Sequence, residues 1–138
     1  GYSSAASDVY KRQENNLVQA AHIDINSVTE TLTDIESAFD TNFMVNKAQH
    51  YLMTKLIKKG ALLFFIGGDN FMAPCNGLSE KEIEDILVEI NDEIGIGLKA
   101  GIGVGRNMED AAYMADLGLE EIRDHDNGMW TWVIEKEY

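Results

Sequence analysis

Two hydrophobic rhythms alternate along this chain of 138 residues. The first is that of strands. Leu17 to Ile25 is a mainly apolar run broken near its end by Asp24. Ala61 to Ile66 is an unbroken run of apolar residues, which predicts a strand buried on both faces, since an exposed strand would alternate. Gly67-Gly68 can turn the chain back through positive φ. A short second strand over Phe71–Ala73 then ends before Pro74, which cannot serve a central ladder. The pattern is a β-hairpin with Asp69 at its tip. Further on, Leu98, Ala100, Ile102 and Val104 alternate with Lys99, Gly101, Gly103 and Gly105, giving one apolar face and one stripped face. Those glycines admit a helix or a ligand close to the backbone, with helix packing the preferred expectation. After Asn127-Gly128, Trp130, Trp132 and Ile134 alternate through a last strand, Met129–Ile134.

The second rhythm is helical. Met44, Ala48, Leu52 and Leu56 recur at helical spacing within a predicted helix over 36–59, closed by Gly60. Ser79-Glu80-Lys81-Glu82 has the form of a capping box and launches a helix whose apolar face is Ile83, Ile86, Leu87 and Ile90. Asn107 caps a third, with Ala112, Ala115, Leu119 and Ile122 inward. The order β-α-β-β-α-β-α-β predicts an α+β fold. It is a ferredoxin-like βαββαβ unit with an additional helix and strand, its sheet mixed or antiparallel and its helices on one face.

Composition narrows the class. The length suits one domain, and 45% hydrophobic with 25% charged residues is ordinary for a globular chain. No apolar run would span a bilayer, and no signal-peptide pattern is seen. The single cysteine, Cys75, cannot form an internal disulfide and fits a cytoplasmic location. Residues 1–13 are small, polar and without period; they read as a non-native or disordered tail, leaving 14–138 as the domain. A net charge of −13 with eleven scattered basic residues argues against a nucleic acid polymer as partner. An anionic nucleotide would need cations to bind here.

That requirement gives the acids in the strands a use. Asp69 alone is a good turn residue. Were the strands bearing Asp24 and Asp69 neighbours, the two carboxylates would repel unless one kept its proton or a divalent cation joined them. A pair of acids on adjacent strands can hold two metals about 3.5–4 Å apart over a triphosphate. Asn26-Ser27-Val28-Thr29 opens a helix whose backbone N–H groups either receive phosphate oxygens or are capped by Ser27 or Thr29. His22, His50 and His125 have no metal-ligand spacing, and one cysteine with three dispersed histidines gives no zinc cage.

Ile23-Asp24-Ile25 followed by Gly67-Gly68-Asp69-Asn70 resembles the palm of class III nucleotidyl cyclases and GGDEF domains. His22-Ile23-Asp24-Ile25-Asn26, Thr31-Leu32-Thr33-Asp34-Ile35, the Ala61–Pro74 hairpin and Leu98–Arg106 together are similar to archaeal GTP cyclohydrolase III, specifically its C-terminal palm half. The resemblance implies hydrolytic opening of the guanine imidazole ring of GTP, giving a formylaminopyrimidine ribotide and phosphate for flavin and deazaflavin biosynthesis. It implies Mg²⁺, two ions, with a monovalent cation such as K⁺ as stimulant. Asp24 and Asp69 become catalytic metal ligands, with the Ile25 carbonyl as a third; Ser27, Val28, Thr29 and Gly68 become substrate contacts, as does Arg123, since Ala115–Arg123 resembles the palm-cyclase segment whose terminal Lys or Arg contacts the triphosphate. Arg123 also suits a helix C-terminus as a plain cation. Asn70 stands where GGDEF-type palms have a second acid, which disfavours cyclase chemistry. The resemblance further implies a partner, an N-terminal palm half or a second copy. The alternatives are a non-catalytic nucleotide- or metal-binding palm, an assembly module, and a cyclase acting as a dimer.

Overall fold

The computed structural model describes residues 16–26, 38–125 and 128–138. Within them the elements are β1 (Val18–Ile25), α1 (Ala38–Ile57), β2 (Phe64–Gly67), β3 (Asn70–Pro74), α2 (Glu80–Ile94), β4 (Leu98–Gly105), α3 (Met108–His125) and β5 (Thr131–Glu135). The strands form one sheet in the order β2-β3-β1-β4-β5, antiparallel except for the parallel β4–β5 pair. This is the expected α+β fold with a mixed sheet.

The helices, however, do not share one face. Ala21, Ile23 and Ile25 of β1, Phe71 and Ala73 of β3 and Leu98, Ala100 and Ile102 of β4 join Ala48, Leu52 and Leu56 of α1 and Ile83, Leu87 and Ile90 of α2 in one core. The opposite face belongs to α3. A Cβ on Gly103 would lie 1.9 Å from the Ala111 carbonyl oxygen, and one on Gly101 would lie 2.1 Å from that of Ala115. Helix backbone therefore rests directly on strand backbone, the use expected for the stripped face of β4. Gly118 completes the fit from the helix side, where a Cβ would meet the Trp132 carbonyl at 2.7 Å.

The hairpin differs from expectation too. Ala61 and Leu63 are buried, but β2 is the sheet's edge, and Phe64, Phe65 and Ile66 are about half exposed (55, 49 and 50%). The run is apolar because of its composition, not because both faces are covered. β3 includes Pro74, whose carbonyl accepts from Leu62 N–H at 3.1 Å at the strand's end. The last strand begins at Thr131, and it is Thr131 that is buried, while Trp132 stacks on His125.

Local signals place the helix ends. Ser79 Oγ accepts the Glu82 N–H at 3.1 Å and Gly95 closes α2 at φ 70°. Asn107 Oδ1 accepts the Asp110 N–H at 2.8 Å to start α3. In α3 it is Ala111 and Met114, with Ala115, Leu119 and Ile122, that are buried, and Ala112 is only half-buried. Among the described residues no helix is long and apolar enough to cross a membrane.

Candidate functional site

β1 pairs with β3, the second arm of the hairpin, and the register sets Asp24 opposite Asn70 and, on its other side, opposite Lys99 of β4. The Ile25 N–H donates to the Asp69 carbonyl at 3.3 Å, tying the hairpin tip to the end of β1. The turn itself needs glycine: Gly67 and Gly68 have φ of 109° and 59°. Asp24 and Asp69 thus converge at one end of the sheet.

Asp24 is 5% exposed. Its Oδ2 accepts from Arg123 Nη2 at 2.5 Å and lies 3.9 Å from Lys99 Nζ. Its Oδ1 is buried without a hydrogen-bond partner, the one such side-chain atom among the described residues. Leaving a buried carboxylate oxygen unpaired costs a few kcal/mol. Asp69 is near enough to Asp24 for the two carboxyls to influence each other. Burial first, then the contact with Asp24 and its charge, hold the Asp69 carboxyl above the usual carboxylate range; its own backbone N–H and Arg123 oppose the shift.

Two adjoining acids, one with an orphaned oxygen, are what a divalent cation would satisfy. Among the described residues no group of three or more His, Cys, Asp or Glu forms a cage. Two carboxylates nevertheless suffice for Mg²⁺, which commonly completes its shell with phosphate oxygens and water. The residues present fit the ion.

Of the residues singled out from sequence, Asp24, Ile25, Asp69, Gly68 and Arg123 are brought to this end of the sheet. Ser27, Val28 and Thr29 lie outside the described residues. Beside Gly68 is a cavity of about 250 Å³ lined in part by Thr41, Asn42, Asn46, Gln49 and Phe65. Sequence reasoning missed Lys99, His22 and Asp116. His22 Nε2 pairs with Asn70 Oδ1 at 2.8 Å and its Nδ1 with Asp116 Oδ1 at 2.6 Å. The alternation of β1 puts His22 on the same face as Asp24, a signal that could have linked them.

The architecture is that of a palm-type domain. A GGDEF domain from Pseudomonas aeruginosa superposes with a TM-score of 0.74, covering 98% of this chain and 93% of that one at 14% identity. The GGEEF domain of a diguanylate cyclase from Vibrio cholerae gives 0.64, covering 99% and 96% at 15% identity. Sequence is more specific. The profile of GTP cyclohydrolase III matches residues 4–137. The GTP cyclohydrolase III of Methanothermobacter thermautotrophicus is 63% identical over 110 residues, 80% of this chain and 44% of the relative. That of Methanocaldococcus jannaschii is 62% identical over 106 residues, 77% and 40% respectively, and that of Methanococcus maripaludis 46% over 144, 99% and 54%. The chain belongs to the GTP cyclohydrolase III family, and it spans about half the length of these relatives.

Proposed function

We propose that the chain carries the metal and triphosphate site of an enzyme that hydrolytically opens the imidazole ring of GTP, releasing a formylaminopyrimidine ribotide and phosphate. The observation that supports it is the orphaned Asp24 Oδ1 beside Asp69. Asp24, Asp69 and the Ile25 carbonyl would hold two Mg²⁺ ions, with a monovalent cation such as K⁺ as an auxiliary. When bound there, magnesium supplies charge neutralisation and Lewis-acid polarisation of phosphate oxygens. Asp69 must release its proton to serve. Arg123 and Lys99, which both approach Asp24, are the cations available to the triphosphate, and the backbone of Ser27, Val28 and Thr29 is assigned to it as well. The amides of Asn42, Asn46 and Gln49 around the cavity beside Gly68 suit the edge of a purine.

The span of 40–54% of the relatives' length favours a second reading. In it this half binds metal and nucleotide, and turnover requires an N-terminal palm half or a second copy.

Incubating the purified chain with GTP and Mg²⁺ separates the readings. Formylated pyrimidine supports the enzyme, saturable binding without product supports the binding half, and cyclic nucleotide overturns both in favour of a cyclase. Asp69→Ala is expected to abolish turnover. Activity that survives it refutes the site.

A further inference from the structure

We propose that Asn70 and His22 are positioning residues for Asp69: His22, anchored on Asp116, fixes the amide of Asn70 so that its N–H donor is always presented to the Asp69 carboxylate. The role rests on the metal reading above and deepens it. Asn70 Nδ2 donates to Asp69 Oδ1 at 3.1 Å, while Asn70 Oδ1 is held by His22 Nε2 at 2.8 Å. On the far side of the imidazole Nδ1–H donates to Asp116 Oδ1 of α3 at 2.6 Å, so both ring nitrogens carry hydrogen in this arrangement. The chain of contacts therefore crosses from a helix, through β1, to the hairpin tip.

An asparagine amide has a donor end and an acceptor end, and its terminal torsion is roughly two-fold. Unheld at the start of β3, it would be free to present either. With the acceptor end taken by His22, the donor end faces Asp69. That bond fixes the rotation of the carboxylate by engaging Oδ1 and leaves Oδ2 for a cation. An acid in place of Asn70 would add a further negative charge beside Asp24, Asp69 and Asp116. The amide supplies direction without charge. Outer partners of metal ligands act this way, and their loss typically weakens metal affinity by about 10–100-fold.

Mn²⁺ binding to the full chain without nucleotide, followed by water-proton relaxation, tests the role apart from turnover. His22→Leu and Asn70→Ala should each weaken Mn²⁺ about tenfold or more, and the double variant should be no weaker than the worse single. His22→Gln keeps an N–H donor for Asn70 and should stay close to wild type. Equal losses in His22→Gln and His22→Leu would mean packing rather than hydrogen bonding, and would overturn the role. So would unchanged affinity in the single variants, or losses that multiply. If His22→Leu fails to fold by circular dichroism, Asn70→Ala against His22→Gln decides alone. A wild-type chain that binds no Mn²⁺, indistinguishable from Asp69→Ala, overturns the metal site itself. Wild-type binding with unaffected variants overturns only the positioning.

Discussion

Gly103→Ala is the most informative single change in the framework of the site. The new Cβ would sit 1.9 Å from the Ala111 carbonyl oxygen and 2.2 Å from the Ala115 nitrogen. Both are backbone atoms of α3, so no rotamer change relieves the clash. To restore the 3.0 Å that real Cβ atoms respect, α3 must retreat from β4 by about 1 Å. A gap of that size forfeits about a quarter to a half of each dispersion contact along the interface, including those of buried Ala111, Met114, Ala115 and Leu119. Overpacking a well-fitted core ordinarily costs about 1–3 kcal/mol, and this case belongs at or above the upper end. For a chain of this size about 3 kcal/mol lowers Tm by about 10 °C. Retreat of α3 also draws Arg123 away from Asp24, so nucleotide affinity should fall with stability. Gly95→Ala is the control: φ is +70° there but the space is open, so the cost is backbone strain of about 1 kcal/mol. Urea and thermal melts of both variants are the assay. A Gly103→Ala chain as stable as Gly95→Ala would refute the close-approach argument.

Two further predictions concern protons. The folded chain raises the Asp69 carboxyl, so this group contributes stability below the unfolded carboxyl's pKa of about 3.9, and the contribution is lost as pH rises through the folded value. Asp69→Asn should therefore raise Tm at neutral pH in the absence of metal, bring no gain near pH 3 and, on the proposed metal site, leave Tm insensitive to Mg²⁺; a lower neutral-pH Tm would contradict this. Burial raises the Cys75 thiol to about 11 against a small opposing effect of the Gln19 hydrogen bond. Its contribution to stability is full below the ordinary thiol range and disappears as pH climbs through 11, and at pH 8 iodoacetamide should label Cys75 only as fast as the chain opens. Labelling at the rate of a free thiol would refute that burial.

What the sequence disclosed follows from how far each signal reaches along the chain. The inward face of α2 and the caps at Ser79 and Asn107 are set by residues within a few positions, and they were legible. So was the meeting of Asp24 with Asp69, because each acid interrupts or ends an apolar strand. The exposure of Phe64–Ile66 was not, since an apolar run carries no record of which elements cover it. Placing all helices on one face failed for a related reason: the glycine stripe of β4 signals close approach, but not that the approaching helix lies opposite the other two. His22, Lys99 and Asp116 gain their relation to the acids through strand register and helix docking across the chain. Asp116 is 94 residues from His22, and Lys99 faces Asp24 only through the pairing of β1 with β4. Arg123 was found by family resemblance alone.

Because α3 lies on Gly101 and Gly103 without intervening side chains, its seat on β4 is set by backbone contact. Asp116 and Arg123 of α3 are thereby held against His22 and Asp24 of β1. On the other side of the acids, the glycine turn of the hairpin faces the first helix across an open, amide-lined gap.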